Sequence, residues 1–543
     1  MKLALLAGAA ALLATPALAQ NLWISGGPIY TGVAAHPTAE VVIVQGGKIT
    51  FVGDPKTIRF KLDPTTETID LKGAALFPGF TDGHAHLRGI GERELSLNLE
   101  GSTSASEAMT RVKAYLVGRK ATGPVWGRGW IETGWPEGRF LNRGDLDPIA
   151  PDRPVLLVRA DGHALVANSA ALKAAGIDEA TPVPAGGDIL KGPDGKLTGI
   201  LVDNAMALVR KLQLPPTEAD RRAAFEAAFR VEAAYGWTGV HSMSVSWHDV
   251  GLLETLNAEG KTPLRVYNAV DADQAGPLFA GGPRATKDGR IVTRAIKLYE
   301  DGALGSRGAA LFEPYADAPG TMGLVRTPPE KMAEAMTKAK AAGIQVASHA
   351  IGDRGNANVL DLYAAQGVET LRWRIEHAQI VRPADIPRFA KLKVIASMQP
   401  SHAIGDLHFA PARLGEARLN GAYAWEDMLK AGVLVVGGSD APVERGAPLV
   451  EFYAAVARKD LKGFSAPDWH PDQALSRAEA LKLFTSSAAY ARFAESELGT
   501  IEAGKRADLT AFSVDLMTAP EADIPKGHAV LTVVDGKVVY RAP

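Results

Sequence analysis

From residue 75 onward, short apolar runs take turns with Ala-rich amphipathic stretches, and this alternation limits the chain to very few architectures. The runs are "ALFPGFTDGHAH", "GWTGVHSMS", "LRVYNAV", "AIKLYEDGAL", "IQVASHAIG", "LRWRIEHAQIV", "KVIASMQPSH" and "VLVVGGSDAP". Stretches such as "TEADRRAAFEAAFRVEAAY" and "PPEKMAEAMTKAKAAG" carry helical spacing between several of them. Eight strands alternating with helices predict an α/β chain folded as a (β/α)8 TIM-like barrel, with a doubly wound open sheet as the competing architecture.

The two ends have a different texture. "EVVIVQGGKITFVGD" is two β-rich runs about a Gly-Gly turn, and "AVLTVVDGKVVYRAP" repeats the style about Asp535-Gly536. Together they predict one small β-sandwich domain built from both chain ends, residues 20–76 and 496–543, around a barrel over 77–495. The long gap after the first barrel strand, about residues 90–235, contains its own hairpin, "GDILKGPDGKLTGIL". It reads as an inserted subdomain over the barrel mouth, suited to a packed lid or a binding surface.

Residues 1–19 read as a cleaved secretory signal. Lys2 supplies the basic start, residues 3–14 are almost wholly apolar, and Ala17-Leu18-Ala19 is a small-x-small cleavage pattern. The apolar run is shorter than the ~20 residues a membrane span needs. The expectation is an exported protein, periplasmic or secreted, with no membrane attachment once the signal is removed. The chain has no cysteine, so neither a lipoprotein anchor nor a disulfide is available. Lysine and arginine number 59 against 61 acids, for a net charge of −2. That balance, without a basic run, argues against nucleic acid as the main partner; the small-molecule substrate expected instead rests on the site motifs. Barrels of this kind often form homo-oligomers, but no face of the sequence marks the contact.

Five strand ends carry candidate chemistry. Side chains two apart on a strand share a face, so His84 and His86 can converge on one point at the C-terminal end of the first strand. By itself an H-x-H pair is weak evidence. Later strands, the fourth, fifth, sixth and eighth, add Lys297, His349, His377 and Asp440 near their C-terminal ends. Singly, each has a bland reading: a bonded core histidine, a helix cap at Asp440, a salt bridge from Lys297 to Glu300 or Asp301. Their shared position at five strand ends favours one metal site. A protonated lysine has no acceptor for a cation. Burial would favour the neutral amine, which can take up CO2 as a carbamate whose oxygens bridge two metals.

The motifs "FPGFTDGHAHL", "KLYEDGALGSRGAAL", "SHAIGDRGN", "IEHAQ", "GSDAPVE" and "GTIEAGKRADL" together resemble the amidohydrolase superfamily. The family 3 branch, with its N-substituted formamide deformylase-like proteins, is the nearer likeness. The resemblance runs from about residue 22 to the C-terminus and includes "GRGWIETGWPEGRF" and "DGHALVANSAALKAAGI". It implies a metal-bearing barrel with a terminal β-sandwich. It also implies that His84, His86 and Asp440 bind the more buried ion, that His349 and His377 bind a second, and that carboxylated Lys297 bridges them. His163, His402, Trp130, Arg128 and Arg307 fall in family-typical segments and are candidates for substrate contact or lid closure, with a plain structural role as the alternative. His36, His248, His408, His470 and His528 have no motif context and read as surface residues.

Nitrogen and oxygen ligands without thiolates suit one or two divalent ions, Zn2+ first, with Mn2+ or Fe2+ as alternatives. The expected reaction is hydrolysis of a non-peptide C–N bond, a linear amide or N-acyl or N-formyl compound. A metal-bridged hydroxide would attack and Asp440 would serve as general base. Cyclic amide hydrolysis, deamination and lactone or ester hydrolysis fit the same site, because one fold hosts all of them. A catalytically silent exported binding protein is the alternative outside enzymes.

Overall fold

The structure, a computed structural model, describes residues 20–117, 123–132, 135–159, 164–184, 187–213, 215–305, 307–466 and 469–543. The leader-like residues 1–19 and the candidate His163 lie outside the described residues. Two compact units emerge, one from residues up to Leu87 together with Phe229–Pro543, the other Arg88–Ala228.

In the first unit eight parallel strands follow one another in chain order: Phe80–Ala85, Trp237–Val245, Arg265–Asp271, Ile291–Tyr299, Gln345–Ala350, Arg374–His377, Ile395–Met398 and Val435–Gly437. Each pairs with the next. Their interior is filled by small and medium side chains, Met243, Ala269, Ala295 and Ala347 around Tyr267. Helices such as Trp247–Ala258, Pro329–Ala341, Asp353–Gln366 and Ile386–Leu392 intervene and bury their apolar stripes in the larger surrounding core. This is the α/β, nearly closed eight-stranded barrel that the alternation predicts.

The first and eighth strands close the ring through their ends rather than through a ladder. Asp440 donates its N–H to His84 O at 2.7 Å, and His86 donates to Ala441 O at 2.7 Å. This close approach requires glycine at position 83. A Cβ there would stand 2.4 Å from Gly437 O and 2.5 Å from Val436 Cγ1. Gly83→Ala is therefore expected to cost about 1–3 kcal/mol or more through overpacking at the seam. Gly251→Ala, whose Cβ meets nothing within 4 Å in the helix Trp247–Ala258, is the control. Equal urea midpoints for the two variants would contradict a tight seam.

"ALFPGFTDGHAH" is not one strand. Ala75–Pro78 pairs with Leu509–Phe512 in a sheet of the chain ends, and the barrel strand starts at Phe80 after Gly79 donates to Asp508 O at 2.8 Å. That sheet has six strands, and a second has four, drawn from residues 22–70. Leu22, Ile24, Val42, Leu76, Leu509 and Val533 share one core across both sheets. Both turns read from the sequence have positive φ at two successive residues, 57° and 83° at Gly46-Gly47 and 51° and 68° at Asp535-Gly536. That is the backbone of a type I′ hairpin.

The second unit is an insertion after the first strand. A six-stranded sheet carries Leu97–Asn98, Val125–Trp130, Val155–Arg159, Ala164–Ala167, Leu197–Asp203 and Gly187–Lys191 in that spatial order. Its boundary at Ala228 falls inside the helix Glu218–Tyr235 rather than at the helix end. Helical spacing marks where a helix runs and not where a compact unit stops.

Candidate metal centre

The strand ends bring the expected residues to one place. His86, Lys297, His349, His377, His402 and Asp440 line a cavity of about 400 Å3 in the first unit. His84 is fully buried near them, its ring 4.8 Å from that of His377 and 5.7 Å from that of His86. His84, His377 and Asp440 have ligand atoms within 4.8 Å of one another. Lys297, His349 and His377 lie on the fourth, fifth and sixth strands, while His86 and Asp440 stand just past the ends of the first and eighth.

Hydrogen-bond accounting shows what these atoms require. His84 Nδ1 lies 2.5 Å from Glu376 Oε2, His377 Nδ1 2.8 Å from Gln399 Oε1, and His86 Nδ1 3.2 Å from Met243 O. A carboxylate, an amide oxygen and a carbonyl can only accept, so each Nδ1 carries its ring proton and each Nε2 presents a lone pair. Two of those lone pairs face Asp440 Oδ1, at 3.3 Å from His84 and 3.1 Å from His86. Neither His84 Nε2 nor Asp440 Oδ1 has a hydrogen-bond partner, although both are buried. Acceptors facing an anion with no proton between them call for a cation, and the donor set fits a divalent metal.

The electrostatics agree. Burial, reinforced by Lys297, lowers His84, and burial with the neighbouring His349 holds His377 well below the ordinary imidazole value. Burial and Lys297 bring His349 down to about 3. Burial pushes the Asp440 carboxyl up, and only protonated rings at His84 and His86, or a cation in place of those protons, would hold it in the ionised form. Protons compete for an imidazole only below its folded pKa. Metal retention is therefore expected to persist well below the ordinary histidine value of ~6.5. Dialysis against a series of acidic buffers checks this, and release centred at or above that pH would contradict it.

Lys297 is buried, and burial brings its amine down to about 8. Neither carboxylate weighed as its salt-bridge partner serves it. Asp301 accepts backbone N–H groups from Ala310, Ile351 and Gly352, and Glu300 accepts from Asn358. His349 presents Nε2 to Asp301 Oδ1 at 3.5 Å and stands edge-on to His377, with ring centres 4.5 Å apart.

Several residues here escape sequence reading. Glu376 is held by the Arg374 guanidinium, which also donates to Gly83 O and Ser397 Oγ, both at 2.6 Å, and lies 3.0 Å from His241 Nδ1. Against its own burial, that guanidinium keeps the Glu376 carboxyl well below the carboxylate range. Asp82 accepts from Ser439 Oγ at 2.6 Å and from the N–H groups of His84 and Ser439. The spacing R-x-E in "RIEH" was the available signal, since residues two apart share a face of a buried strand.

The substrate-contact candidates separate. His402 lines the cavity: Gln379 Nε2 donates to its Nδ1 at 2.9 Å, so Nε2 carries the proton, without a partner and 3.6 Å from Asp440 Oδ2. Trp130 is not among the residues that line the cavity. It is fully buried in the inserted unit, packed against Trp135 and Phe140, and its indole N–H goes to Leu157 O at 2.8 Å. Arg128 shares that strand. Arg307 is held in a two-bond pair with Asp317 and is not part of the cavity lining.

Comparison with known proteins places the chain. The profile described as "Amidohydrolase family" matches residues 67–540. YtcJ of Bacillus subtilis (strain 168) is 35% identical over 95% of this chain and 98% of its own length. The N-substituted formamide deformylase of Arthrobacter pascens is 29% identical over 96% and 98%. A solved structure of an uncharacterized metal-dependent hydrolase from Pyrococcus furiosus superposes with a TM-score of 0.75 at 30% identity, covering 92% of this chain and 100% of that one.

Proposed function

The chain belongs to the amidohydrolase family, and from that premise we propose that it is a metal-dependent hydrolase of a linear amide, an N-acyl or N-formyl compound of small size. One observation carries the reading: the lone pairs of His84 and His86 meet the Asp440 carboxylate with no proton between them. The likeness to a formamide deformylase over nearly the whole chain supports the bond class.

When bound, a divalent cation at these atoms would polarise the scissile carbonyl and acidify a water. His84, His86, His377, His349 and Asp440 would hold it, with Zn2+ the best match to the ligand types. Glu376, Gln399 and the Met243 carbonyl fix the ring tautomers, so the Nε2 lone pairs stay aimed inward. The amine of Lys297, near 8, keeps a neutral fraction at physiological pH, as carbamate formation requires.

Asp440 is ionised and accepts the proton of the attacking water, then returns it to the departing amine nitrogen. His402 donates its Nε2–H to the carbonyl oxygen as negative charge develops there. Tyr299, Leu304, Ile351, Phe409 and Val443 supply the apolar wall that keeps solvent from the reacting carbonyl and packs on the substrate's acyl or amine group. Export rests on the leader-like residues 1–19; among the described residues, no helix is long and apolar enough to cross a membrane.

The test is a hydrolysis screen of metal-loaded protein against N-formyl amines, N-acyl amines, cyclic amides and lactones. The expected result is turnover concentrated in the first two groups. Turnover confined to lactones or cyclic amides would overturn the bond assignment.

A further inference from the structure

The barrel strands have a second pocket at their other ends. It occupies about 240 Å3 and is lined by Arg265 at the start of the third strand and by Gly289, Val292 and Arg294 at the start of the fourth. Arg492, Phe493 and Leu498 complete most of the wall. The metal centre uses the opposite ends of those strands, where Lys297 and Asp271 stand.

Arg492 has only 5% of its surface exposed, and its Nε and Nη1 are buried without a hydrogen-bond partner. Arg294 Nε is likewise buried and unpartnered, and its guanidinium lies 4.0 Å over the Phe493 ring. Neither forms an ion pair among the described residues. Their neighbours do. Arg265 is held by Asp508 and Asp535, Arg372 by Glu495 and Arg506 by Glu497. Glu497, the one acid lining the pocket, is thereby turned to Arg506 at 2.6 Å. Arg492 is thus buried without a direct ion pair, the Asp508 carboxylate that acts on it being bonded to Arg265, and Arg294 is partly exposed without one.

We propose that this pocket binds a small oxyanion, a carboxylate or a phosphate group, between the guanidinium groups of Arg492 and Arg294. The planar fork of arginine offers paired N–H donors matched to either anion. Val292, Phe493, Ala494 and Leu498 leave room beside the charge for a short organic body. The site is separate from the hydrolytic reading and stands or falls without it.

The experiment follows the thermal midpoint of the metal-loaded full chain in inorganic phosphate, acetate and chloride at matched ionic strength. A ligand that binds only the folded state raises the midpoint in a saturable way. The expected result is a saturable rise with phosphate, acetate or both over chloride, the pattern telling which oxyanion is preferred. Arg294→Gln is expected to weaken the apparent affinity at least about tenfold, and Arg492→Met to abolish the response. Arg294 is partly exposed and stacked, so its variant carries the test even where Arg492→Met fails to fold. No rise over chloride, or a rise of the same size and midpoint concentration in Arg294→Gln, would overturn the site. The second outcome would assign the anion to the metal centre.

Discussion

Asp440→Asn is expected to lower kcat by about 100- to 10,000-fold on any amide that the wild-type chain hydrolyses, the range for loss of a positioned general base. Asparagine keeps an oxygen where Oδ1 now faces His84 and His86 at 3.3 and 3.1 Å, so much of the metal should remain. It cannot take a proton from water near neutral pH. The measurement pairs steady-state kinetics with metal content on the same preparation. Full activity would remove Asp440 from the base role, and lost metal together with lost activity would reduce it to a ligand.

The largest expected effect on stability comes from Glu376→Ala. Glu376 and Arg374 are both fully buried on one strand, and Arg374 donates to the carboxylate through Nε and Nη2. Removing the carboxylate leaves the guanidinium facing Gly83 O, Ser397 and His241 with no counter-charge. Breaking a buried pair in this way costs about 3–5 kcal/mol. The same change frees the Nδ1 proton of His84, and loss of such a supporting partner typically weakens metal binding about 10- to 100-fold. Urea unfolding of the metal-free chain isolates the first effect, and metal titration of the folded variant isolates the second. A stability loss under about 1 kcal/mol would show that solvent reaches Arg374.

The clustering of the candidate ligands was legible because strand geometry is local. His84 and His86 share a face by alternation, and Lys297, His349, His377 and Asp440 each follow an apolar run where a barrel strand ends. What holds them was not legible, because it arrives from neighbouring strands. Glu376 reaches His84 across 292 positions of sequence and Met243 O reaches His86 across 157, distances over which no spacing rule operates. His241, buried inside the second strand beside Arg374, went unread because no motif surrounds it. For Trp130 the sequence left substrate contact and a plain structural role both open. The structure places its indole on a carbonyl within the core of the inserted unit. The passage from the β-rich end into the barrel, read at residues 76–77, falls at Gly79, between the strands Ala75–Pro78 and Phe80–Ala85.

The central claim is that the strand-end acceptors are built around a divalent metal. Elemental analysis of the purified chain, before and after reconstitution with Zn2+, tests it most directly. The expected result is at least about one equivalent of transition metal per chain, lost in a His84→Ala, Asp440→Ala double variant. Less than about 0.5 equivalents, with no gain on reconstitution, would contradict it.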